Sequence, residues 1–198
     1  MQIKQTVIRL RGLLTKPKQA IPEILAEGSL GEAANVVLLA AVLGGLSAAV
    51  YSGQQGIAAS DATTGVIAQL LRPFLTWLLW TCVSYALACL LRGKGKMRPL
   101  LMLFGYIMVL DVISSLYMLL CSLIGFAVPA VLEPLRMSDQ FLSTVLWIGS
   151  FVLAGMSVHE AMKLSAPRCV IVILVPTILL ALILLAVFVA FAGAAAGM

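Results

Sequence analysis

An all-α fold is expected: a polytopic membrane helix bundle of five transmembrane helices, preceded by an interfacial amphipathic N-terminal segment. Three observations point there. Of the 198 residues, 62% are hydrophobic and only 11% are charged, with a mean hydropathy of +1.11; a soluble domain carries roughly a quarter charged residues to cover its surface. Several stretches stay apolar for about 20 residues, the length that crosses a hydrocarbon core about 30 Å thick. The basic residues bracket those stretches from one side, as topology signals do.

Residues 1–30 come first. Ile3, Val7, Leu10 and Leu14 recur at helical spacing among basic residues, Pro17 and Pro22 interrupt, and Ile21, Ile24 and Leu25 follow. One or two amphipathic helices in the inner headgroup layer fit this pattern, and so does a strap packed over the cytoplasmic end of the bundle. The long basic region and extended apolar run argue against a cleaved signal peptide.

Residues 31–198 form the five-span domain, with spans expected at 33–50, 73–91, 100–120, 141–162 and 169–191. Turn-forming residues separate them: Ser52-Gly53-Gln54-Gln55-Gly56, Gly93-Lys94-Gly95-Lys96, residues 128–139, and Ser165-Ala166-Pro167. Of the 13 Lys and Arg residues, all but Arg72 and Arg136 fall on one side. They are Lys4, Arg9, Arg11, Lys16 and Lys18, then Arg92, Lys94, Lys96 and Arg98, then Lys163 and Arg168. The positive-inside rule therefore places the N-terminus in the cytoplasm and the C-terminus outside, which requires an odd number of spans.

Ala40, Gly44 and Ala48, with Ala41, Gly45 and Ala49 beside them, give the first span two small-residue ridges. Lipid is as apolar as any side chain, so close fit drives helix association, and this helix is expected at the centre of the bundle. Pro73 is expected to begin the second span, and Pro176 to kink the fifth. Trp77, Trp80 and Trp147 lie within spans instead of at the interfaces.

Asp111 is the candidate intramembrane polar site, with Ser114 and Ser115 three and four positions on along the same face. A carboxylate at mid-span costs roughly 2.5–3.5 kcal/mol on insertion scales. Depth arithmetic offers Trp80, Thr81 and Ser150 as partners. Two roles fit: a proton or cation relay, or an acid that ties helices by hydrogen bonds. Arg92, Lys94, Lys96 and Arg98 are candidate headgroup or cytoplasmic contacts.

Other chemistry is poorly served. His159-Glu160 lacks the second histidine of a zinc-binding H-E-x-x-H, since Lys163 stands there; Glu160 and Lys163 are spaced as an ion pair. Cys82, Cys89, Cys121 and Cys169 have no metal or redox spacing and read as small buried hydrophobes. No phosphate-binding glycine loop or nucleophile motif occurs, and there is a single histidine. No enzyme activity, catalytic residue, metal or cofactor is expected. The net charge of +5 brackets spans without interleaved aromatics, so nucleic acid is not expected as a partner.

The run Leu91-Arg92-Gly93-Lys94-Gly95-Lys96 with Phe104-Gly105-Tyr106 resembles the Yip (Ypt/Rab-interacting protein) domain family. Leu146-Trp147 leading through Gly155 to His159, then Ser165-Ala166-Pro167-Arg168, extends the likeness, which covers Lys16 to Phe191. The resemblance implies five spans, a cytoplasmic N-terminus and an external or luminal C-terminus. The chain lacks the long soluble N-terminal domain and the D-L-x-G-P and L-P-M stretches of eukaryotic members, and Asp111 falls where many prokaryotic relatives place proline. It is similar to the short prokaryotic members. Eukaryotic members act in vesicle traffic, binding of prenylated small GTPases and membrane shaping, but no residue-level binding motif carries over. The expected role is a non-enzymatic membrane-organising or partner-binding protein, its partners being membrane lipids and other membrane proteins or itself. The location would be the cell membrane in a prokaryote or an endomembrane in a eukaryote. A small-solute or ion permeation protein using Asp111, and an accessory subunit of a larger membrane complex, are the alternatives.

Overall fold

A computed structural model describes residues 2–128 and 132–196, which form eight helices and, among the described residues, no strand. They are α1 (Gln2–Thr15), α2 (Pro17–Glu27), α3 (Leu30–Gln54), α4 (Ala59–Leu90), α5 (Met97–Ile107), α6 (Val109–Ala127), α7 (Leu132–Met162) and α8 (Ala166–Ala196). Helices α3, α4 and α7 and the pair α5–α6 are each long and apolar enough to span a bilayer. The apolar, 31-residue α8 has the length of a fifth. Their outward surfaces are apolar: Phe126 and Phe141 stand 73% and 74% exposed, among many leucines and valines. Such a surface is stable only against hydrocarbon, where each backbone polar group must be bonded within its own helix.

The N-terminal region forms two helices, not one. Pro17 opens α2 at a position where its missing N–H costs nothing, and Pro22 is carried inside α2. The helices also extend beyond several expected spans. Because α4 begins at Ala59, Pro73 lies inside the second span instead of starting it. Pro73 cannot donate to the carbonyl of Gln69, and that carbonyl lies beside Gly44 of α3, where a Cβ would stand 3.6 Å away. The first span runs through the expected turn to Gln54, leaving Gln55 and Gly56 to make the bend. Pro176 sits within α8 as expected.

The third span is not a single helix. It enters as α5, almost wholly buried, is interrupted by a single turn residue at Met108, and leaves as α6, whose Leu116, Leu120 and Leu123 face outward. Helix α3 is the hub, packing on α4, α5 and α6. Its small residues serve this role: a Cβ on Gly45 would lie 2.8 Å from Leu70. Gly105 of α5 lies close to α3 in turn, with a Cβ there only 2.7 Å from that of Ala33.

The glycine-lysine run after α4 closes one end of the bundle. Arg92 takes the left-handed conformation (φ 65°), and the amides of Arg92 and Gly93 bond back to Cys89 and Ala88 at 3.0 and 2.8 Å. This is the reciprocal pattern that caps a helix C-terminus. Lys94 N–H then donates to the Met162 carbonyl at 3.1 Å, and Arg168 donates to the Leu91 carbonyl at 3.3 Å. The end of α4 and the start of α5 are thereby gathered with the α7–α8 turn. Two of the four cysteines correct the expectation of burial: Cys121 and Cys169 are buried, but Cys82 and Cys89 face outward.

A Cβ on Gly95 would fall 1.9 Å from the Ala161 carbonyl, whereas one on Gly53 would meet nothing within 4 Å. Gly95→Ala is therefore expected to lower stability by about 1–3 kcal/mol, and Gly53→Ala to leave it unchanged or raised. Thermal unfolding of the two detergent-purified variants checks this.

Candidate functional site

The polar centre of the molecule lies where the N-terminal helices meet the bundle. Ser29 caps α3, its hydroxyl accepting from Glu32 N–H at 3.1 Å while Glu32 Oε2 accepts from Ser29 N–H at 3.4 Å. This reciprocal box orients the Glu32 side chain over the first turn of α3. From α1, Arg9 donates to the same Oε2 at 2.8 Å and, with its other amino group, to Glu27 of α2 at 3.2 Å. From α5, the Tyr106 hydroxyl also donates to Glu32. Arg9 and Glu32 are only 7% and 9% exposed, and Tyr106 is fully enclosed. Burial alone would pull the Arg9 pKa down, but Tyr106 and the Glu32 and Glu27 carboxylates together raise it above its ordinary value. The guanidinium stays charged.

Beneath this cluster, Trp77 of α4 donates its ring N–H to the Leu101 carbonyl of α5 at 2.7 Å. Leu13, Ile21 and Ile24, all 1% exposed or less, pack α1 and α2 into the same core. The cluster is a clip. Its central oxygen accepts from three donors, which suits fixing helices in place.

Asp111 stands elsewhere. It projects from the first turn of α6 on the outward surface of the bundle, with Arg72 of α4 the cation acting on it. Trp80, Thr81 and Ser150 do not join it: Trp80 packs edge-on to Phe151, and both hydroxyls bond back to their own helices. Ser114 and Ser115 are not gathered around it either. The Ser114 hydroxyl pairs with that of Ser143 on α7 at 3.2 Å, and the Ser115 carbonyl accepts from Ser47 of α3 at 2.9 Å. Both are fastenings between spans. Arg92, Lys94, Lys96 and Arg98 are exposed at the end of the bundle that carries α1 and α2. Glu160 and Lys163 make the ion pair their spacing suggests, at 3.3 Å.

From the last turn of α1 to well within α8, residues 11–188 match the Yip1 domain. The chain belongs to the Yip1 domain family. Comparison with curated proteins and with solved structures returns no match. Glu32 and Tyr106 lie inside the Yip1 domain, and Arg9 lies two residues before the matched segment.

The clip is absent from the sequence-based expectations, although half of its signal is local. Ser29-x-x-Glu32 has the spacing of a capping box ahead of an apolar run. What the sequence does not display is that Arg9 and Tyr106, 23 and 74 residues from Glu32, reach the same oxygen.

Removing one partner of a buried ion pair costs about 3–5 kcal/mol, because the other charge is left uncompensated. Arg9→Ala is expected to abolish the protection of α1 amides against hydrogen exchange while α4 stays protected. Tyr106→Phe, which removes one donor, is expected to cost about 1–3 kcal/mol. Unchanged exchange in α1 in both variants would count against the clip.

Proposed function

We propose that this Yip1 domain protein is a non-enzymatic membrane-organising protein that acts through α1, a basic amphipathic helix held in the plane of the headgroups. One observation carries the reading. Helix α1 turns Arg9 and Leu13 into the protein, while Val7 and Ile8, each 58% exposed, and Leu14 at 43% face away from it. Lys4, Arg11 and Lys16 are exposed beside them. A free amphipathic helix would bury its whole apolar face in lipid; this one has its rotation set by the clip, so a defined apolar edge is left for the acyl boundary. Basic helices of this kind insert about 5–10 Å and favour anionic lipid.

In this reading the α1–α2 end faces the cytoplasm, since eleven of the 13 Lys and Arg residues belong to that side, and the C-terminus lies across the membrane. Lipids are the first partners, with other membrane proteins or further copies of the chain gathered through the spans. Asp111, on the outward surface of the bundle, gives the solute-permeation alternative no comparable support.

The test is reconstitution into anionic vesicles at rising protein density, with vesicle shape read by electron cryomicroscopy. The intact chain is expected to deform the vesicles, and a Val7→Asp, Ile8→Asp variant of unchanged thermal stability is expected not to. Equal deformation by both would overturn the role given to α1, and spherical vesicles at every density would overturn the proposal. In the same vesicles, Asp111→Asn is expected to leave proton flux unchanged.

A further inference from the structure

Between α2, α7 and α8 lies a cavity of about 490 Å³, a size within the range of roughly 300–1,000 Å³ found for ligand sites. It is lined by none of the residues of the Arg9–Glu32 clip. Ile21 of α2, Val152 and Met156 of α7 and Val170 of α8 give it apolar walls. Its polar lining is Lys18, His159 and Glu160. From Glu160 back to Val152 is about 12 Å along α7 at about 1.5 Å per residue, so the lining changes from polar to apolar with depth. The polar end is the one where α7 turns into α8, at the boundary of the spans.

The charges at that end are unequal. Glu160 is paired with Lys163 at 3.3 Å. His159 is held by its Nδ1, which lies 2.5 Å from the Leu164 carbonyl; a carbonyl only accepts, so Nδ1 carries the proton. Lys18 is exposed, and no carboxylate pairs with it among the described residues. An uncompensated ammonium thus stands at the mouth of an apolar slot. The hollow also reaches the backbone of α7: a Cβ on Gly155 would meet nothing within 4 Å.

A ligand that fits must have an anionic head and an apolar tail, and must arrive from the membrane boundary. We propose that this cavity binds an anionic phospholipid from the leaflet on the α1–α2 side. The phosphate lies on the Lys18 ammonium, and one acyl chain runs inward along Gly155, between Val152, Met156 and Val170. The site requires only that the chain is a membrane protein, and stands whether or not α1 deforms bilayers.

The experiment is native mass spectrometry of the full chain, delipidated in mild detergent and titrated with dioleoyl phosphatidylglycerol or dioleoyl phosphatidylcholine. Phosphatidylglycerol is expected to bind about fivefold tighter, the preference one lysine beside an anionic headgroup supplies. Lys18→Ala is expected to remove the preference while leaving weak binding of both lipids. Gly155→Leu fills space that is empty and adds a better helix former, so it is expected to keep the melting temperature and lose both lipids. Equal binding of the two lipids by the intact chain would overturn the proposal. So would full phosphatidylglycerol binding by the Gly155→Leu protein, or displacement of the lipid by equimolar inorganic phosphate.

Discussion

A single carboxylate oxygen, Glu32 Oε2, is where the N-terminal helices and the membrane bundle are made one object. A charge with so little exposure persists only if it is paired and hydrogen-bonded. Here three donors converge on it, the Ser29 N–H at the α3 cap, Arg9 of α1 and Tyr106 of α5, and the same guanidinium also holds Glu27 of α2. The geometry depends on a neighbour with no side chain. Gly105 lets α5 approach Ala33 of α3, and that approach carries the next residue, Tyr106, to the start of α3. An amphipathic helix that would otherwise float on the membrane is thereby given a fixed rotation, with Leu13 inward and Val7 and Ile8 outward.

The second constraint is the bilayer. With apolar groups both inside and outside, burial from water does not distinguish one helix face from another, so contact geometry and polar fastenings must do so. The small residues of α3 provide the contact. The fastenings are side chains bonded to neighbouring spans: Ser47 to the Ser115 carbonyl, Ser114 to Ser143, Trp77 to the Leu101 carbonyl. At the α1–α2 end the backbone joins in, where Lys94 and Gly95 lie against the last turn of α7. A lysine-rich loop and a rigid bundle end are combined in the same few residues.

Much of this was legible in the sequence, for a physical reason. Hydropathy, small-residue ridges and helical spacing are local properties, so the existence of the apolar helices, the central place of α3 and the ion pair of Glu160 with Lys163 could be read directly, though not where each helix begins. Asp111 drew attention because a lone carboxylate in an apolar run is conspicuous, yet the serines spaced to accompany it fasten other helices. Helical spacing places residues on one side of a helix but does not say which neighbour that side meets. At Met108 the third span passes from α5, almost wholly buried, to α6, whose leucines face outward. The Arg9–Glu32–Tyr106 clip was hidden because its members are distant in sequence and unremarkable one by one: an arginine among basic residues, a glutamate in a cap, a tyrosine in an apolar run.

The central claim is that Arg9 and Glu32 act as one buried unit, and a double-mutant cycle tests it most directly. Stabilities of the Arg9→Leu, Glu32→Leu and double variants are measured in one detergent by chemical unfolding. If the pair is a unit, the double variant is at least as stable as either single one, because neither charge is left alone. Losses that simply add would contradict it, since they would mean that the two side chains stabilise the protein independently.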